Sequence, residues 1–106
     1  MTTAAFHILL ALADQDRHGY AIMREVELRS GGEVKLGPGT LYGALQRMLE
    51  DGWIEETERP GDDEPSERRR YYRLAKDGRK KLKAEAARLE EWVRLAQKKR
   101  ILPARG

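Results

Sequence analysis

Apolar residues fall along this chain in four distinct patterns, and each predicts an element. From Phe6 to Ala13 they are almost continuous. Phe6, Ile8, Leu9, Leu10 and Leu12 go nearly all the way round a helix that Thr2 and Thr3 can cap. A helix apolar on every side is buried on more than one side. In a chain of 106 residues this suggests contact with both its own core and another chain. Asp14 to Gly19 reads as a polar turn. A second helix follows from about His18 to Arg29, with Ile22 and Val26 in the core, Met23 and Leu28 on its flanks, and Ser30-Gly31-Gly32 as its stop. Val34-Lys35-Leu36 is long enough only for a bridge-like strand.

The third pattern is the sharpest. Leu41, Leu45, Met48 and Leu49 recur at steps of four and three behind Pro38, a residue suited to the first helical position because its missing N–H would be unpaired there. Gly52 ends this helix. Thr40, Gly43, Ala44 and Arg47 are left on its other faces, with Tyr42 and Gln46 on the shoulder. Trp53 to Glu58 and Arg70 to Leu74 then read as two strands, separated by the proline-broken, polar loop Arg59 to Glu67. A helix stopped by glycine, followed by two strands around a charged loop, is the outline of a winged helix. From Lys76 to about Arg100 the chain is helical again, with Leu82, Ala86, Leu89, Val93 and Ala96 in a heptad-like seam and Trp92 beside it. So narrow a stripe on so long a helix points to dimerisation. The expected fold is mainly α (α+β), a winged helix-turn-helix over residues 1–75, with a C-terminal dimerisation helix and tail over 76–106.

Composition adds an asymmetry. The formal charge of +3 divides into −7 over residues 1–65 (6 Lys/Arg against 13 Asp/Glu) and +10 over residues 66–106 (15 against 5). Positive charge gathered on the wing and last helix is what a phosphate-binding surface requires, although a solvated helix face explains most such clusters. The chain has no cysteine, which excludes disulfides, thiolate metal sites and cysteine nucleophiles. His7 and His18 sit on different elements and lack the ligand set of a zinc site, so no metal and no cofactor are expected. No nucleophile–base pair or phosphate-cradling glycine loop appears, which argues against an enzyme. The longest apolar stretch is too short to cross a bilayer and nothing marks it as a signal peptide; a cytoplasmic protein is the expectation.

Three segments carry a family resemblance: His18-Gly19-Tyr20 opening the second helix, Pro38-Gly39-Thr40-Leu41-Tyr42 with Leu45 opening the third, and Arg69-Arg70-Tyr71-Tyr72-Arg73-Leu74 with Gly78 after the wing. In this order and spacing they resemble the PadR family of winged-helix transcriptional regulators, in its short form with one C-terminal helix. The resemblance covers roughly Ile8 to Gly78. It implies a homodimeric repressor on a pseudo-palindromic operator of double-stranded DNA, dimerised through the first and last helices and released from DNA by a small molecule in several members. The chain departs from the family at Gly37, where serine is frequent, and at Ala75, where threonine is usual. Both changes weaken a helix cap. Gly43 lies inside the third helix, where glycine costs roughly 1 kcal/mol relative to alanine.

Candidate DNA contacts follow from the residues and the resemblance together. On the third helix they are Pro38, Gly39, Thr40, Tyr42, Gly43, Gln46 and Arg47. Arg47 offers a bidentate fork to guanine and Gln46 a donor–acceptor pair to adenine, or either meets phosphate or solvent alone. Tyr42 matches the family's tyrosine, its hydroxyl reaching phosphate or its ring only packing. Gly43 either admits a close approach to DNA or is tolerated drift. Tyr20 joins them at the start of the second helix, as a phosphate contact or a half-buried core residue, and Lys35 precedes the third helix. Arg68, Arg69 and Arg70 form the wing stem, where three consecutive cations cannot all fold inward, while Asp62, Asp63 and Glu64 keep the wing tip from phosphate. Phe6, Leu9, Leu10, Leu82, Leu89, Trp92, Val93 and Ala96 are the expected dimer interface. Trp92 is also the candidate for a small aromatic effector, against the plainer reading that it fills the interface. The rival function is a winged-helix protein-interaction or assembly module without DNA, favoured by the acidic first half and the scarcity of cations on the third helix.

Overall fold

The computed structural model describes residues 1–58 and 70–104. Among them the order is α1 (Thr3–Ala11), β1 (Arg17–His18), α2 (Gly19–Arg29), α3 (Pro38–Glu50), β2 (Ile54–Thr57), β3 (Tyr71–Leu74) and α4 (Lys76–Lys98). Each helix begins where local chemistry allows. Thr2 caps α1, its Oγ1 accepting from the Ala5 N–H at 3.0 Å, and His18 caps α2 through Nδ1, which accepts from the Ala21 N–H at 3.2 Å. Neither Gly37 before α3 nor Ala75 before α4 supplies a side-chain cap, so Pro38 and Asp77 are what favour those starts. Gly52 closes α3 with φ +75, a left-handed conformation that glycine adopts without penalty.

The core lies where α1, α2 and α3 meet the sheet. Ile8, Leu9, Ile22, Val26, Leu41 and Leu45 are at most 1% exposed, with Met48, Ile54, Tyr72 and Leu74 closing over them. Ala44 belongs here too, although its sequence position had suggested another face. Trp53, just before β2, is half-buried against it.

The sheet holds a strand that periodicity does not reveal. Its order is β1-β3-β2, all antiparallel, with Arg17 opposite Tyr72 and His18 opposite Tyr71. The Asp14–Gly19 stretch is therefore part turn and part edge strand, while Val34–Leu36 forms no strand. Pairing partner decides this: β2 occupies one edge of β3, leaving the other open for the chain that leads into α2. Arg17 fastens the junction. Its guanidinium donates to the Ala11 carbonyl at 2.8 Å and to Glu25 at 2.9 Å, and it pairs with Asp14 at 3.3 Å.

The two ends of α4 have different surroundings. Gly78 and Leu82 are buried against the body of the protein. Beyond them the seam loses its cover: Leu89 and Ala96 are half-buried, and Trp92, Val93 and Leu95 are exposed. Two of the residues expected at the interface are buried. Leu9 at 0% and Leu82 at 7% exposure are buried in the core of their own chain. Leu10, nearly half exposed, and half-buried Phe6 keep an outward side. The radius of gyration is 15.9 Å, against about 13 Å for a compact domain of this length. After Lys98 the chain turns at Arg100 (φ 60) and folds back, the Gln97 side chain donating to the Pro103 carbonyl at 3.2 Å.

Candidate nucleic-acid interface

The outward side of α3 is built by subtraction. Leu41, Ala44, Leu45 and Met48 take the inner face, so Gly39, Tyr42, Gly43, Gln46 and Arg47 are left together on the outer one. Pro38, Gly39, Thr40, Tyr42, Gln46 and Arg47 are all exposed, and Gly43 is half-buried. The Gln46 amide donates to Glu50 one turn on, at 3.2 Å. This places a carboxylate beside the helix's only cation-bearing stretch. A β-carbon on Gly43 would meet only the Arg47 Nη1, at 3.8 Å. The space above Gly43 is open.

Two of the sequence motifs converge at the start of α2. The Tyr42 hydroxyl sits against the backbone of Gly19, so that a β-carbon there would lie 2.5 Å from it. Tyr20, next in the chain, is exposed and has the Arg24 guanidinium 5.9 Å from its ring centroid. His18 stacks near Tyr20 and meets the Tyr71 ring edge-on at 5.3 Å, joining the α2 start to β3. The His18-Gly19-Tyr20 and Pro38–Tyr42 motifs are therefore one structural unit.

The wing stem lies beside this unit. Arg70 is exposed and reaches Glu56 on the neighbouring strand at 3.6 Å. Tyr72, buried between them, has its phenol pushed above the ordinary tyrosine range, first by burial and then by the Glu56 carboxylate, with Arg70 partly opposing. Tyr42 acts in the same direction as Glu56, which brings the α3 tyrosine within electrostatic reach of the wing stem. Arg68, Arg69 and the wing-tip acids Asp62, Asp63 and Glu64 lie outside the described residues. Lys35 is exposed on the segment leading to α3, 4.0 Å from Glu27. Tyr72, Arg24 and Gly19 were not singled out as site residues by sequence reasoning. Gly19 and Tyr72 were present in the quoted motifs, and that was the available signal.

On α4, Arg88 is held by Glu85 through a bidentate pair at 2.9 and 2.7 Å. That bond lowers the Glu85 pKa and raises that of Arg88. The same guanidinium lies 4.7 Å from the Trp92 ring centroid, a cation–π arrangement on an exposed indole. A cavity of about 330 Å³ opens between α1 and α2, lined by apolar Leu10, Ala11, Ala13 and Val26 and by His7, Asp14, Glu25 and Arg29. Among the described residues no three His, Asp or Glu are grouped to hold a metal, and no helix is long and apolar enough to cross a membrane.

Comparison with known proteins gives a consistent picture. The family model described as "Transcriptional regulator PadR-like family" matches residues 8–84. The transcriptional regulator Rv3488 of Mycobacterium tuberculosis is 36% identical over 88 residues, covering 83% of this chain and 77% of that one. A 37.1 kDa protein in transposon TN4556 of Streptomyces fradiae is 42% identical over 79 residues, which span 74% of this chain but 21% of that protein. Among solved structures, a PadR family transcription regulator from Clostridium difficile superposes with a TM-score of 0.76 at 25% identity, covering 92% of this chain and 97% of that one. A transcriptional regulator from Clostridium thermocellum gives 0.73 at 26% identity, over 90% and 87% of the two chains.

Proposed function

Since the chain belongs to the PadR-like family of transcriptional regulators, we propose that it binds double-stranded DNA as a homodimer and represses transcription from a pseudo-palindromic operator. In this reading residues 1–75 are the DNA-binding unit, with α1 also facing the second chain, and residues 76–106 form the dimerisation helix and tail. Each copy lays α3 in a major groove, about 34–36 Å from its mate. Thr40, Tyr42, Gln46 and Arg47 read base edges or the adjoining backbone, with Pro38, Gly39 and Gly43 keeping that face low. Tyr20, Lys35 and the Arg68–Arg70 stem hold phosphates. Phe6, Leu10, Leu89, Trp92, Val93 and Ala96 form the dimer contact. A small aromatic effector enters beside Trp92 and releases the complex.

The observation that carries this reading is that the exposed α3 face meets the α2 start through Tyr42 and Gly19, and the α2 start meets β3 through His18 and Tyr71. With Arg47 as the only cation of α3, affinity has to come from the wing, and the helix supplies discrimination. Selection from a pool of random duplexes tests the function. An enriched palindromic sequence supports it, and no enrichment at low salt favours the protein-interaction module instead. Replacing Arg68, Arg69 and Arg70 together by alanine removes up to three phosphate contacts from each of the two copies and should reduce the salt slope of binding by up to about 5, one phosphate contact being worth about 0.9. An unchanged slope removes the wing from the interface. Titrating aromatic compounds into a Trp53→Phe variant isolates the Trp92 emission, and quenching by none of them argues against the effector site.

A further inference from the structure

Position 19 has no room for a side chain, and the group that fills the space is Tyr42. A β-carbon on Gly19 would lie 2.5 Å from the Tyr42 hydroxyl oxygen, 2.9 Å from Cζ and 3.1 Å from Cε1. The backbone does not ask for glycine here. Gly19 is not among the residues with positive φ, and as the first residue of α2 it costs helix stability relative to alanine. What it permits is the tyrosine contact.

Tyr42 is not a core residue that needs this slot for burial. Its side chain is 52% exposed on the outer side of α3, and its hydroxyl has no hydrogen-bond partner among the described residues. A phenol held against the α2 backbone with its donor unused is poised for an external acceptor. Tyr20, the residue after Gly19, is exposed with the Arg24 guanidinium over its ring.

We propose that Gly19 is a positioning residue for DNA binding: its missing side chain lets Tyr42 lie against the start of α2, where the phenol donates to a backbone phosphate. The inference rests on the DNA-binding reading above and deepens it by naming a residue that touches no DNA yet sets the geometry of one that does. Alanine at position 19 meets the far end of an exposed side chain, so it displaces the Tyr42 ring and spares the fold.

The test uses the full chain and a duplex obtained by selection, with Gly19→Ala, Tyr42→Phe and the two combined. Gly19→Ala should melt no lower than the parent at equal protein concentration while the dimer binds the duplex about a hundredfold to ten-thousandfold more weakly, the range of one hydrogen bond to a charged group lost in each of two copies. Tyr42→Phe should lose a similar factor, and the combined variant should lose no more than the weaker-binding single change. Binding by Gly19→Ala within twofold of the parent overturns the proposal, as does a loss that multiplies with that of Tyr42→Phe. If Gly19→Ala unfolds and adding Tyr42→Ala restores folding, the contact serves packing and the proposal fails. A parent that binds no selected duplex refutes the DNA-binding reading itself, and the proposal with it.

Discussion

Gly78→Ala should destabilise this protein severely, although alanine is the better helix former. Gly78 is the third residue of α4 and is buried. A β-carbon there would collide with the carbonyl oxygen of Trp53 and stand 2.8 Å from that carbonyl's carbon and 3.0 Å from Leu74 Cδ1. The obstacle is backbone, which cannot swing aside. The same Trp53 carbonyl accepts from the Ala75 N–H at 2.9 Å, so moving α4 away breaks the bond that sets its entry. Helix propensity returns about 1 kcal/mol. Overpacking costs about 1–3 kcal/mol, and a half-buried carbonyl stripped of its partner up to about 1–3 kcal/mol more. The net is a loss of about 1–5 kcal/mol; at its centre Tm falls on the order of 10–20 °C for a domain of this size. Thermal unfolding followed by far-ultraviolet circular dichroism measures this, at one fixed protein concentration because association would shift Tm. Gly43→Ala is the internal control. Its β-carbon meets open space, so the same exchange should raise stability by up to about 1 kcal/mol. A Gly78→Ala variant that melts with or above the parent would refute the close approach of α4 to Trp53.

Two further predictions concern the wing stem and the uncovered helix. Because burial and Glu56 raise the Tyr72 pKa, the folded chain holds this proton more tightly than the unfolded chain, whose tyrosines titrate near about 10. The stability tied to neutral Tyr72 is complete below that value and lost as pH climbs through the higher folded one. Tyr72→Phe should therefore flatten the alkaline fall of stability in denaturant titrations, and identical alkaline slopes would count against the assignment. Val93→Lys places a charge on the uncovered stripe of α4, where the side chain is 45% exposed. It should leave the helical content intact and shift sedimentation toward the monomer; an unaltered sedimentation profile would remove this stripe from the dimer contact.

Much of the architecture was legible because the relevant signals are local. Pro38 and Gly52 bracket α3, and the steps between Leu41, Leu45 and Met48 orient it, so its outer face could be named in advance. The period of α4 likewise showed a stripe. It did not show that Leu82 is the last seam residue buried in the chain's own core, because a repeat says which residues align and not what covers them. Leu9 misled for the same reason. An all-apolar helix has no face that marks itself as inner, and Leu9 turned out to be inner while Leu10 stayed outside. The strand at Arg17–His18 carries no period at all in two residues, and it exists because β3 has a free edge.

The sequence by itself determined the helices and their order, the β2 and β3 segments, the outward face of α3 and the family. All of these rest on spacing within one segment or on motifs in order. Only the tertiary structure decided that Gly19 and Tyr42 are partners, that Gly78 exists for the Trp53 carbonyl, and that Tyr72 lies buried between Glu56 and Arg70. These are contacts between residues distant in the chain or on different elements. Their chemistry depends on how closely two backbones approach, a quantity that periodicity does not encode.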